Sequence, residues 1–122
     1  MIIMKIWMDD MREAPEGYIR VYNVPQAINA IRQIERKVDF IWEDKVFHKI
    51  DDSFAAKRLQ YYIIEEIACD NDLGRKEFDG YKLLDWLEAT GRNYPIRILT
   101  SNPVARQRMR KIIERNNWEE RK

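Results

Sequence analysis

Residues 2–8 read Ile-Ile-Met-Lys-Ile-Trp-Met and stop abruptly at Asp9-Asp10. A run this short, apolar on consecutive positions and broken only by Lys5, suits a strand covered on both faces, as in a parallel sheet. Parallel strands need long crossovers, usually helices, and the chain supplies them. Val24, Ala27, Ile28, Ile31 and Ile34 recur at helical spacing over 24–36, and Tyr81, Leu83, Leu84 and Leu87 do so over 80–90. Ala105, Met109, Ile112, Ile113 and Asn116 mark the inner face of a last helix. Further strands are expected at 18–22, 38–44, 63–70 and 96–100. Strands alternating with helices predict an α/β sandwich with a mostly parallel sheet.

Local signals punctuate these elements. Asn23 with Gln26 three residues on reads as a capping box, with Pro25 in the first turn. Asp79 is a plausible cap for the second helix and Gly91 its C-terminal glycine. Asn102-Pro103 opens the last helix. The stretch 38–67 is hardest to parse. Asp51-Asp52-Ser53 reads as the cap of a helix carrying Phe54, Ala55, Leu59, Tyr62 and Ile63. VDFIWED (38–44) competes with IIEEIACD (63–70) for the middle of the sheet, and the winner decides whether Asp44 or Asp70 ends the central strand.

Composition narrows the function classes. At 122 residues the chain is expected to form a single domain over 1–122. Its 22 basic and 21 acidic residues leave a net charge of +1, so no global field favours duplex nucleic acid. One cysteine excludes an internal disulfide, and one histidine excludes any site built on two imidazoles. No apolar run approaches the ~18 residues of a membrane span. The start is charged too soon for a signal peptide, so a cytoplasmic protein is expected.

In a parallel sheet, ligands bind beyond the C-terminal strand ends. Asp9-Asp10, Asp70-Asn71-Asp72 and Thr100-Ser101-Asn102 follow three such strands. Asp and Asn often follow strands merely because they make turns, but three clusters on one edge bring four carboxylates together. Like charges that close repel unless a cation intervenes. Oxygen ligands without sulfur or imidazole favour Mg²⁺, Mn²⁺ or Ca²⁺. Two hydroxyls and the N-terminus of the last helix lie opposite, which suits an anion. Cys69, beside Asp70, is expected to be a buried, inert thiol.

The segments KIWMDDMREAPEGY (5–18), DNDLG (70–74), DGYKLLDWLE (79–88) and TSNPVARQRM (100–109) resemble the cyclic-phosphate processing receiver-like family, short relatives of two-component receiver domains. The resemblance implies a receiver-like (flavodoxin-like) sandwich, truncated after the fourth core strand and its helix. It implies that Asp9, Asp10 and Asp70 hold a divalent cation, Mg²⁺ or Mn²⁺. Asp70 and Asp72 become the candidate catalytic acids. Asn71, Thr100, Ser101, Asn102 and Arg106 become candidate ligand-binding residues. The family occurs in bacteria and phages, and the implied substrate is a cyclic phosphate or nucleotide. The segment at about 38–63 reads as an insertion, with Trp42, Phe47, Phe54, Tyr61 and Tyr62 available to the core or to a protein partner.

Two departures stand out. Many family members carry histidine where this chain has Asn71, and another near Leu99; His48, the one histidine, lies in the insertion. The leading expectation is a metal-dependent phosphoesterase-like enzyme. The alternative is a catalytically degenerate module that binds a phosphate ligand or a host protein. A phosphorylatable receiver is a third reading, disfavoured because the 22 residues after Thr100 leave no evident room for a fifth strand.

Overall fold

The computed structural model describes residues 2–36, 40–43, 46–49, 62–74 and 79–122. In chain order the elements are β1 (Ile2–Met8), β2 (Tyr18–Val21), α1 (Val24–Glu35), β3 (Phe40–Glu43), β4 (Val46–Lys49), β5 (Tyr62–Cys69), α2 (Tyr81–Ala89), β6 (Ile96–Ile98), α3 (Pro103–Arg115) and β7 (Glu120–Arg121). Five strands form one sheet in the order β2-β1-β5-β6-β7, and every neighbouring pair is parallel. This is the α/β arrangement with a parallel sheet that alternating strands and helices predict, and it agrees with the fold that the family resemblance implies.

Competition for the centre of the sheet is resolved in favour of β5. It lies between β1 and β6, whereas β3, among the described residues, pairs with β4 in a separate antiparallel sheet. Asp70 therefore follows the central strand. His48 falls in β4, opposite Ile41. The helix expected to open at Asp51-Asp52-Ser53 lies outside the described residues.

One expectation needs correction. The sheet does not stop with the fourth core strand and its helix, because β7 adds a fifth parallel strand beside β6. The cause is local. Asn117 adopts the left-handed conformation at φ 56° just past α3. Its N–H bonds the Glu114 carbonyl at 3.1 Å and that of Trp118 bonds the Ile113 carbonyl at 3.0 Å, a Schellman closure. The reversal seats Trp118 in the core at 8% exposure and aims Glu120–Arg121 along β6. Gly91 (φ 71°) ends α2 by the same device, as its position in the sequence suggests.

One hydrophobic cluster unites the alternate residues Ile6 and Met8, Ile19 and Val21, Ile67 and Cys69, and Ile96 and Ile98 with the apolar stripes of the three described helices. The register slips between Met4 and Lys5 of β1, where Glu65 of β5 has no partner, and this bulge accounts for the paired glutamates in a buried strand. Glu66, 3% exposed, is held by Arg97 through Nε at 2.9 Å and Nη2 at 3.0 Å, and accepts the Tyr18 hydroxyl. Burial by itself would raise its carboxyl, but the Arg97 and Tyr18 hydrogen bonds outweigh this and hold it below the ordinary value. Removing Glu66 leaves the Arg97 guanidinium, 32% exposed, and the Tyr18 hydroxyl without their acceptor, and water offsets part of that loss. Glu66→Ala is expected to destabilise the fold by about 2 kcal/mol, read from urea unfolding midpoints; a loss below about 0.5 kcal/mol would show that the pair is solvated.

Candidate metal and phosphate site

The site begins with backbone hydrogen bonds. Asp9 N–H bonds the Val21 carbonyl at 3.1 Å, Asp70 N–H the Met8 carbonyl at 2.9 Å, and Leu99 N–H the Cys69 carbonyl at 2.8 Å. These bonds extend the parallel ladders past the ends of β1, β5 and β6, bringing the following loops to one rim. One carboxylate oxygen from each of Asp9, Asp10 and Asp70 lies within 4.8 Å of the others.

Each acid is held differently. Asp9 is fully buried; its Oδ1 accepts the N–H groups of Met11 (2.9 Å) and Arg12 (3.1 Å), a turn that aspartate favours. Asp70 Oδ1 accepts the Asn71 N–H at 2.8 Å. Among the described residues, Asp10 Oδ1 is buried without a hydrogen-bond partner. A buried acceptor with no donor is costly unless something else meets it. A hard cation would do so, and carboxylate oxygens at this mutual spacing suit its coordination shell. The residues present therefore fit a divalent metal on their own chemistry.

Of the other residues expected at the site, Asp72 is exposed and faces the Asn71 side-chain amide at 3.5 Å. Asn71 is buried, and its Oδ1 accepts the Tyr81 N–H at 3.3 Å. It thus does at the start of α2 what was expected of Asp79: the helix begins at Gly80 with no side-chain cap from its neighbour. Gly80 is obligatory here, since a Cβ would sit 1.7 Å from the Asp70 carbonyl oxygen. Thr100 is 1% exposed and its hydroxyl accepts the Asn102 N–H at 3.2 Å. Asn102 caps α3 through Val104 N–H (3.0 Å) and Ala105 N–H (3.3 Å). Arg106 donates to the Thr100 carbonyl at 2.9 Å, and Ser101 is exposed. Much of the polar capacity of the hydroxyl loop is thus engaged in holding its own shape.

Arg12 is the residue that sequence reasoning missed. Its Nη1 lies 3.1 Å from the Leu99 carbonyl, 3.3 Å from Asp9 Oδ2 and 3.9 Å from Asp70 Oδ1, tying the three loops together. The signal was its place three residues after Asp9, where the aspartate turn brings it back over the carboxylates. Cys69 is fully buried, and burial, reinforced by the Asp70 charge, pushes its thiol up to about 12, as an inert thiol requires.

Burial raises the Asp70 carboxyl above its ordinary value; the Asn71 N–H opposes this, Asp9 adds to it, Arg12 opposes it and Asp72 adds to it. The native state thus binds this proton more tightly than the unfolded chain does. Stability is lost as pH rises from the ordinary value of 3.8 through the higher folded one. In chelator-treated protein, Asp70→Asn is expected to stabilise the fold near pH 7. The gain should shrink toward pH ~3.8 and below, where both states of the wild type are protonated. Urea midpoints of both proteins across that range check it, and a variant less stable near pH 7 would contradict it.

Comparison with curated proteins and with solved structures returns no match. The family model described as the cyclic-phosphate processing receiver domain matches residues 4–115, nearly the whole chain. With the parallel sheet, the acid pair after β1 and Asp70 after the central strand, this match settles the family: the chain belongs to the cyclic-phosphate processing receiver domains.

Proposed function

We propose that the protein is a metal-dependent phosphoesterase-like enzyme that opens a cyclic phosphate, free or on a nucleotide, at the rim formed by β1, β5 and β6. The observation that carries this reading is the trio Asp9, Asp10 and Asp70, with its unpartnered buried oxygen on Asp10. These residues would hold Mg²⁺ or Mn²⁺. When bound, such an ion supplies positive charge for phosphoryl oxygens and lowers the pKa of water. The chain supplies the rest. Thr100, Ser101 and Asn102 bring hydroxyl and amide groups to the phosphate side, and Arg106 fixes that loop through the Thr100 carbonyl. Asp72, exposed beside Asp70, is placed to take or give a proton at solvent. Ring opening adds one water across a P–O bond: the oxygen joins phosphorus, one proton reaches the leaving oxygen, and a phosphate monoester results.

One observation favours the second reading, a module that binds the phosphate ligand without turning it over. Asn71, which occupies a position where family members often carry histidine, is buried and bonded to Tyr81 N–H, and Leu99 bears no titratable group. The two readings separate by ³¹P NMR with Mg²⁺ and a panel of cyclic and linear nucleotides. A new monoester resonance that vanishes in Asp70→Asn is expected. A shifted or broadened substrate signal without product would replace the enzyme with the binding module. No response from any compound would overturn both.

A further inference from the structure

A guanidinium has two edges, and those of Arg12 face different surroundings. Its Nη1 engages the Leu99 carbonyl at 3.1 Å and Asp9 Oδ2 at 3.3 Å, and lies 3.9 Å from Asp70 Oδ1. Its Nε and Nη2 have no hydrogen-bond partner among the described residues, and the side chain is 48% exposed. The backbone of Arg12 is itself anchored, since its N–H bonds Asp9 Oδ1 at 3.1 Å. The charge is therefore held over the mouth of the carboxylate cluster, with two donors left over. A pair of adjacent N–H donors on a planar cation matches two oxygens of one phosphate.

We propose that Arg12 is the phosphate receptor of this site and also the cation that balances Asp9 and Asp70 while no metal is bound. The inference deepens the metal-site reading and rests on it. Arg12 and a divalent ion would share the same two carboxylates, so each weakens the hold of those acids on the other. Without a metal, the acids restrain the guanidinium. With them neutralised, Arg12 is freer to turn its charge and its donor pair to a bound phosphate. Metal and phosphate should therefore bind with positive coupling through this residue. A side chain that merely braced the loop would not behave this way.

The test uses the intact chain with Arg12→Gln and Arg12→Lys, each checked for folding by circular dichroism. Mn²⁺ affinity is measured by calorimetry without phosphate. Affinity for inorganic phosphate is measured by ³¹P NMR titration at saturating Mg²⁺. Arg12→Gln is expected to bind Mn²⁺ at least about threefold more tightly, because a neighbouring positive charge is gone. It should bind phosphate about tenfold more weakly. Arg12→Lys should keep Mn²⁺ affinity near that of the wild type, yet lose much of the phosphate affinity for want of the fork. Opposite signs in Arg12→Gln support the proposal. Weakening of both ligands would assign Arg12 a bracing role instead, and unchanged phosphate affinity would overturn the receptor. If the wild type binds no Mn²⁺, the metal reading itself fails, and this inference falls with it.

Discussion

Everything at the rim depends on three backbone hydrogen bonds just past the strand ends: Asp9 to Val21, Asp70 to Met8 and Leu99 to Cys69. They belong to a parallel sheet whose apolar residues sit in one cluster with three helices, so the ladder cannot slip without moving the core. The positions of the carboxylates follow from that ladder and not from any attraction between them. Three acids are brought together by forces that act elsewhere in the molecule, and the rim must then tolerate the repulsion.

It does so with donors drawn from nearby chain. Asp9 is satisfied by two N–H groups of its own turn, Asp70 by the Asn71 N–H, and both feel Arg12. Asp10 Oδ1 is left out of this arrangement. The deficit is chemically specific: it is one of acceptor oxygens without positive charge, and it falls where a divalent ion would remove it. The same loop presses α2 so closely against the Asp70 carbonyl that only glycine fits at position 80. Precision at the carboxylates thus extends to the helix behind them.

Much of this was legible in the sequence because strand ends in a parallel sheet share a rim whatever the loops do. The acids at 9 and 10 needed only the first strand to be recognised, Asp70 also needed the DNDLG resemblance to decide against Asp44, and the helices carried strong apolar periodicity. What stayed hidden depends on folds of a few residues. Arg12 returns to the cluster only because Asp9 makes a turn with its side chain. The start of α2 is tied by Asn71, ten residues away, and not by the adjacent Asp79. Strand β7 is two charged residues with no apolar signal of their own; a left-handed Asn117 and a buried Trp118 put them in the sheet. In the same way, two adjacent glutamates fit poorly in a buried strand by pattern alone, and only the bulge and the Arg97 pairing explain them.

The absence of histidine bears on mechanism more than on binding. Imidazole supplies a proton carrier that titrates near neutrality, and neither Asn71 nor Leu99 can replace it. Asn71 is also committed to the fold: buried, with its carbonyl oxygen on the Tyr81 N–H, it steadies the loop that carries Asp70. Among the described residues carboxylates are then the remaining proton carriers at the rim, and Asp72 is exposed to water. A carboxylate is a weaker base near neutrality than imidazole, so chemistry run on this rim would lean more heavily on charge stabilisation of the phosphoryl group than on proton transfer. That demand falls on positive charge, and among the described residues the guanidinium of Arg12 stands beside the Asp9, Asp10 and Asp70 carboxylates, whose oxygens suit a divalent cation.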